Sequence, residues 1–220
     1  MSQRTRIKIC GVKTPEVAEA AVEAGADAIG LVFVHASPRC VTPAEASRTA
    51  AAVGAYVDVV GLFLGTSATE ITHHAHNVPL TMVQLHGSGA GELLRAVAPL
   101  RAVCSQPFDE TSAAADLGKW SERRRGSTNF AGLLIDRADP DRAGGTGERF
   151  DWSALREVLD RVAPDLPIIL AGGLTPENVA EAVRVVRPFA VDVSSGVESQ
   201  RGVKDIAKIR DFCQAVRQTG

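Results

Sequence analysis

Short apolar runs recur along the chain, each bounded by Gly, Pro or a polar residue. They are "RIKIC" (6–10), "AIGLVF" (28–33), "DVVGLF" (58–63), "TMVQLH" (81–86), "LRAVC" (100–104), "AGLLID" (131–136), "PIILAGG" (167–173) and "FAVDVSS" (189–195). Their richness in Val, Ile and Leu suits strands buried on both faces better than strands with one wet face. Helical patterns separate them. "TPEVAEAAVEAGAD" opens with Thr14 as N-cap and Pro15 in the first turn and closes at Gly25, and the same Thr-Pro opening returns at Thr42 and Thr175. Further helical stretches are "SATEITHHAH", "GAGELLRAVA", "DWSALREVLDRVA" and "KDIAKIRDFCQAVR". The weakest unit is 105–130, where "SERRRGSTN" reads as an exposed loop after a helix of poor periodicity.

Eight such runs alternating with helices in 220 residues predict an α/β chain, a single-domain (β/α)8 barrel over residues 1–220. A doubly wound open sheet is the second choice. It is disfavoured because the first strand-to-helix turn, "CGVKTPE", is no GxGxxG fingerprint and no P-loop is present.

In a barrel, chemistry sits on the loops after the C-terminal strand ends. Read in order, those ends offer Cys10, Arg39 in "VHASPRCV", His86, Asp136, Gly172-Gly173 and Ser194-Ser195-Gly196. A free cysteine is by default a small buried hydrophobe. Arg39 is a solvated loop arginine or a fork for a bound carboxylate, and His86 a structural histidine or a ligand contact. Asp136 caps a loop, pairs with a nearby arginine, or transfers a proton. The last two loops are more specific: Gly172-Gly173 after strand seven and Ser195-Gly196 after strand eight match a barrel phosphate site built from backbone N–H groups. Asp192, between Val191 and Val193, is predicted to point into the barrel, where a carboxylate is costly unless paired or used.

Other features carry less. His73, His74 and His76 show no ligand spacing of a complete metal set and read as a solvated helix face. "AGGTGERFDW" (143–152) lacks the Walker lysine and reads as a flexible loop ending in an Asp151 helix cap. The composition, 45% hydrophobic and 23% charged, is that of an ordinary globular protein. A net charge of -2 gives no electrostatic footprint for nucleic acid or an anionic membrane. The N-terminus has no apolar core of signal-peptide length, and no segment approaches the roughly 18 apolar residues of a membrane span, so a cytoplasmic location is expected. Cys10, Cys40, Cys104 and Cys213 form no CxxC pair and are expected to be free thiols. The helical faces show no distinctive exposed seam, which leaves monomer and homodimer both open.

An ordered set of strings covers nearly the whole chain: "KICGVKTPE", "GADAIGLVFVHASPRCVTPAEA", "VGLF", "VQLHG", "LLID" followed by "GGTGERFDW", "ILAGGLTPENV", and "VDVSSGVE" followed by "GVKDIAKIRDF". In this order they resemble the phosphoribosylanthranilate isomerases of tryptophan biosynthesis. The resemblance implies a barrel enzyme free of cofactor and metal that performs an Amadori rearrangement on a phosphosugar. It implies Asp136 as general acid and Cys10 as general base, Arg39 on the anthranilate carboxylate, His86 and Asp192 lining the pocket, and Gly172, Gly173, Ser195 and Gly196 holding the phosphate. For the thiol to act as a base it should be partly thiolate, which Lys8 or Arg39 nearby would promote. The acid has to be neutral in the complex. The chain departs from the family pattern in "VHA" before "SPR", where a Pro-Lys pair is frequent, and in Arg201-Gly202, where Pro-Gly is common. Two other readings remain at this point. Another phosphosugar isomerase on this barrel would carry Asp or Glu at the end of strand one, and a non-catalytic phosphate-binding barrel would need neither Cys10 nor Asp136.

Overall fold

The computed structural model describes residues 4–137, 150–162 and 164–219. Eight strands close into a parallel barrel in sequence order, with β1 hydrogen-bonded to both β2 and β8. The strands are β1 Arg6–Cys10, β2 Ala28–Val32, β3 Asp58–Leu64, β4 Met82–His86, β5 Ala102–Phe108, β6 Phe130–Arg137, β7 Ile168–Leu170 and β8 Ala190–Val193. Helices α1 Pro15–Ala24, α2 Pro43–Ala51, α3 Ala68–Asn77, α4 Ala90–Ala96, α5 Ala113–Arg125, α6 Trp152–Val162, α7 Val179–Val186 and α8 Ile206–Arg217 cover the outside. After β8 the chain makes a 3-10 turn, Ser195–Val197, and a small hairpin of β9 Glu198–Gln200 and β10 Val203–Lys204.

Strand periodicity sorts the core into two layers. On β1, Ile7 and Ile9 belong to the shell between strands and helices with Ala18, Ala21, Phe212 and Val216. Arg6, Lys8 and Cys10 alternate with them and face the barrel interior. Inside, Val60, Met82, Val103, Leu134, Ile169 and Ala190 form a separate apolar layer. Cys10, Val32 and Leu62 close it at the C-terminal end.

The local signals decide most helix boundaries. The Thr14 hydroxyl accepts from Val17 N, and Thr42 forms a full capping box with Glu45. Asp151 accepts from Ser153 N at 2.8 Å, as expected of a cap. The third Thr-Pro signal behaves differently. Residues 176–178 form a turn, and α7 starts only at Val179 with Asn178 as its N-cap. The Asn178 side chain accepts from Thr175 N at 2.8 Å and donates to Gly173 O at 2.8 Å. It is spent on shaping the loop after β7, which delays the helix.

Residues 105–130 also depart from expectation. β5 runs on to Phe108 and α5 extends through "SERRR" to Arg125. Ala113, Leu117 and Trp120 bury one side of this helix, and the Arg123 guanidinium lies 4.9 Å above the Trp120 ring. The poor periodicity reflects a narrow buried stripe, three or four residues apart, on an otherwise charged helix. "AGGTGERFDW" lies outside the described residues from 143 to 149. Among the described residues no helix is long and apolar enough to cross a membrane.

At the N-terminal end of the barrel, buried Asn129 ties three segments together. Its amide donates to Leu94 O at 2.8 Å and Leu100 O at 2.9 Å, while its own carbonyl oxygen on the backbone accepts from Ala102 N. Removing the side chain orphans two carbonyls. Asn129→Ala is expected to cost about 2–3 kcal/mol in urea unfolding, well above the effect of a typical surface substitution.

Candidate active site

All nine candidate residues come together at the C-terminal end of the barrel. Cys10, Arg39, His86, Asp136, Gly172, Gly173, Asp192, Ser195 and Gly196 line one cavity. A larger open groove of about 660 Å³ lies at the opposite end, and three of its arginines, Arg4, Arg124 and Arg156, are already paired with Asp27, Asp165 and Asp160.

Cys10 ends β1 opposite Gly30 and is buried. A Cβ on Gly30 would stand 2.9 Å from the Cys10 sulfur and 3.2 Å from Lys8 Cε, so the missing side chain is the space both groups occupy. Lys8 is buried and paired with Asp192 across the seam where β1 meets β8, with Nζ 2.8 Å from Oδ2. Asp192 thus points inward as expected, and its Oδ1 is buried with no hydrogen-bond partner. The thiol is not lowered as expected. Burial raises the Cys10 pKa, the charge of Lys8 opposes this, Asp192 adds to it, and the balance remains upward.

Asp136 is the penultimate residue of β6, and its Oδ1 accepts from Arg137 N at 2.7 Å. Gly172, at φ +84°, lies so close that a Cβ would sit 2.6 Å from this oxygen. Glycine there is required both by the backbone conformation and by the carboxylate. Gly196 is held as tightly, since a Cβ would overlap Leu174 O at 1.8 Å. Among the described residues, none accepts a hydrogen bond from the backbone N–H of Gly173, Ser195 or Gly196. Donors left open at the end of a cavity form an anion cradle.

Arg39 is reached by a carboxylate, but one from the chain itself. Its Nε and Nη2 donate to Glu198 Oε1 and Oε2 at 2.7 and 2.9 Å, a buried bidentate pair. Glu198 also accepts from Lys204 Nζ at 2.9 Å and Gly202 N at 3.0 Å. Burial alone would raise its pKa, but the hydrogen bonds from Arg39 and Lys204 win and hold it at about 2. Two buried cations share one anion here, leaving net positive charge at the cavity wall. Arg39 remains in the lining, and its Nη1 takes no part in the Glu198 pair.

His86 is neutral. Burial and the nearby Lys8 charge bring its pKa down to about 4, and its Nε2 lies 2.6 Å from Gln84 Nε2. Gln84, Glu198, Lys204 and the Gly30 gap escaped the sequence reading. A lone glutamine inside the apolar "MVQLH", two residues before His86, was the available signal for Gln84. The helix-face histidines do not form a site. His73 and His76 are exposed, while the His74 ring packs 4.6 Å from Phe33, and no metal-binding group is found among the described residues. The four cysteines are free, and burial pushes Cys104 to about 12 and Cys213 to about 11, which makes them inert.

A carboxylic acid and a thiol at the mouth of a closed parallel barrel, beside an open backbone anion cradle, define a class: a (β/α)8 enzyme acting on a phosphorylated small molecule. Residues 7–215 match the family model described as N-(5'phosphoribosyl)anthranilate (PRA) isomerase. The chain is 46% identical to the N-(5'-phosphoribosyl)anthranilate isomerase of Pseudomonas fluorescens, over 96% of this chain and 98% of that one. It is 43% identical to that of Hahella chejuensis over 96% and 93%. The crystal structure of phosphoribosyl anthranilate isomerase from Thermotoga maritima superimposes with a TM-score of 0.83 at 37% identity, over 97% of this chain and 99% of that one. Another isomerase of this kind, solved in complex with reduced 1-(o-carboxyphenylamino)-1-deoxyribulose 5-phosphate, gives 0.81 at 36% identity over the same shares. The chain belongs to the N-(5'-phosphoribosyl)anthranilate isomerase family.

Two titrations check the site. The His86 ring resonances should stay constant from pH 8 down to about 5 in an NMR titration, against a free histidine that titrates near 6.5. Glu198 has a depressed folded pKa, so its stabilisation is complete above the ordinary carboxylate value of about 4.3 and is lost as pH falls towards about 2. Glu198→Gln should therefore be less stable at neutral pH, with a shallower loss of unfolding free energy than wild type between those two pH values.

Proposed function

We propose that the cavity carries out the Amadori rearrangement of N-(5-phosphoribosyl)anthranilate to 1-(2-carboxyphenylamino)-1-deoxyribulose 5-phosphate, with Asp136 as general acid and Cys10 as general base. The observation that carries this reading is the convergence of Cys10, Asp136, Gly173, Ser195 and Gly196 on one cavity. The phosphate sits on those N–H groups and fixes the sugar at one end. The carboxylate of the anthranilate end lies towards Arg39, whose charge exceeds what Glu198 alone neutralises once Lys204 is counted.

The chemistry needs two proton transfers. Asp136, in its neutral form, gives its proton to the ring oxygen as the C1–O bond breaks and the anilino nitrogen lone pair closes a C1=N iminium. The Cys10 thiolate then takes the proton from C2, and the C–H electron pair becomes the C1=C2 bond while the C1=N pair returns to nitrogen. The enol so formed takes a proton at C1 and loses its hydroxyl proton to give the ketone. Neutral His86, fixed by Gln84, offers a hydrogen bond to a sugar hydroxyl without adding charge next to the iminium. The unpartnered Oδ1 of Asp192 accepts from a ligand hydroxyl or N–H. The reaction is assigned to the cytoplasm.

The loss of substrate fluorescence measures turnover directly. Cys10→Ser and Asp136→Asn are each expected to lower kcat by about 10²–10⁴-fold with a much smaller change in KM. Turnover within a few-fold of wild type in either variant removes that residue from its role. Absence of turnover in wild type leaves a phosphate-binding barrel without this activity.

A further inference from the structure

A thiol buried at the end of β1 is a poor base unless something stabilises its anion, because burial raises its pKa. We propose that Lys8 is the positioning residue that draws the Cys10 sulfur towards its thiolate, with Asp192 fixing the lysine in place. The inference rests on the base role of Cys10, and it is tested separately from that role.

Lys8 and Cys10 lie two residues apart on one strand, so both face the interior. Both pack over Gly30, where a side chain would meet the sulfur and Lys8 Cε at once. Among the described residues the Lys8 ammonium has one oxygen partner, Asp192 Oδ2 at 2.8 Å. An ammonium has three N–H groups, so two remain for the sulfur that shares the space over Gly30 with this side chain.

The other charged groups around the cavity are committed elsewhere or act in the wrong direction. Lys204, on β10, favours the thiolate by its charge, but its Nζ bonds Ser194 O and Glu198. Arg39, after β2, is forked onto the same Glu198. His86, at the end of β4, is neutral, and β2 places only the uncharged Gly30 and Val32 beside Cys10. Asp192 on β8 and Asp136 at the end of β6 carry or can carry negative charge, which disfavours a thiolate. Lys8 is the cation placed to offset burial. Asp192 then has two opposed effects: it holds the ammonium against the seam, and its own charge works against the sulfur anion.

The pH dependence of Cys10 alkylation by iodoacetamide, followed on the Cys10 peptide by mass spectrometry, reports the thiolate without substrate or turnover. Lys8→Met/Asp192→Asn, which removes both charges and leaves neither buried alone, should lower Cys10 alkylation at pH 8 at least tenfold. Lys8→Arg should stay within about threefold of wild type. Asp192→Asn alone keeps an acceptor for Lys8 and removes the opposing charge, so it should raise alkylation threefold or more. The acidic limb of the kcat/KM profile should move in the same directions. Alkylation unchanged or faster in the double variant, or slower in Asp192→Asn, overturns the assignment. Normal turnover by Cys10→Ser would instead remove the base role and leave the thiol titration to be read independently.

Discussion

One ion pair lies at the point where the barrel closes. Lys8 and Asp192 are paired in register on β1 and β8, so the last seam of the sheet carries a buried cation against a buried anion. Charges in such a place are tolerated only when they neutralise each other, and removing one partner alone typically costs about 3–5 kcal/mol. A barrel interior filled only with Val and Leu would not need them. Their presence near the C-terminal end makes the mouth polar at the depth where Cys10 sits, while the layer beneath, from Val60 to Ala190, stays apolar.

From this seam the site is built outward by small residues and long-range pairs. Gly30 leaves the room that Cys10 and Lys8 share, Gly172 lets the chain pass the Asp136 carboxylate, and Gly196 passes Leu174 O. The hairpin after β8 then brings Glu198 back over the mouth to grip Arg39 and Lys204. Asn178 ties the loop after β7 to its own helix start. The proposed phosphate cradle and proton-transfer pair thus rest on backbone held from several strands at once, which is the rigidity that acid-base chemistry requires.

The fold was legible because parallel strands buried on both faces leave unbroken apolar runs, and all eight appear within a few residues of their expected bounds. Cys10, Asp136 and the two glycine loops were legible because a barrel puts chemistry at one kind of position, the C-terminal strand end. What escaped depends on contacts remote in sequence. That Arg39 meets Glu198, 159 positions away, is set by the hairpin and not by "SPR". The Thr175 signal looked identical to those at Thr14 and Thr42, but Asn178 was needed for the loop, and the helix began later. The arginine-rich end of α5 hid a helix because its buried stripe is only Ala113, Leu117 and Trp120. The thiol's pKa direction was misjudged for a related reason: proximity of a lysine is visible in "KIC", whereas burial of the sulfur is not.

In the proposed reaction Cys10 and Asp136 address opposite sides of one phosphate-anchored sugar. A crystal structure of this chain with reduced 1-(o-carboxyphenylamino)-1-deoxyribulose 5-phosphate measures that arrangement directly. The expected complex has the phosphate on the Gly173, Ser195 and Gly196 N–H groups, the Cys10 sulfur against C2, and the Asp136 carboxyl across the sugar from it. A phosphate bound elsewhere, or a sugar with C2 turned away from Cys10, would contradict it.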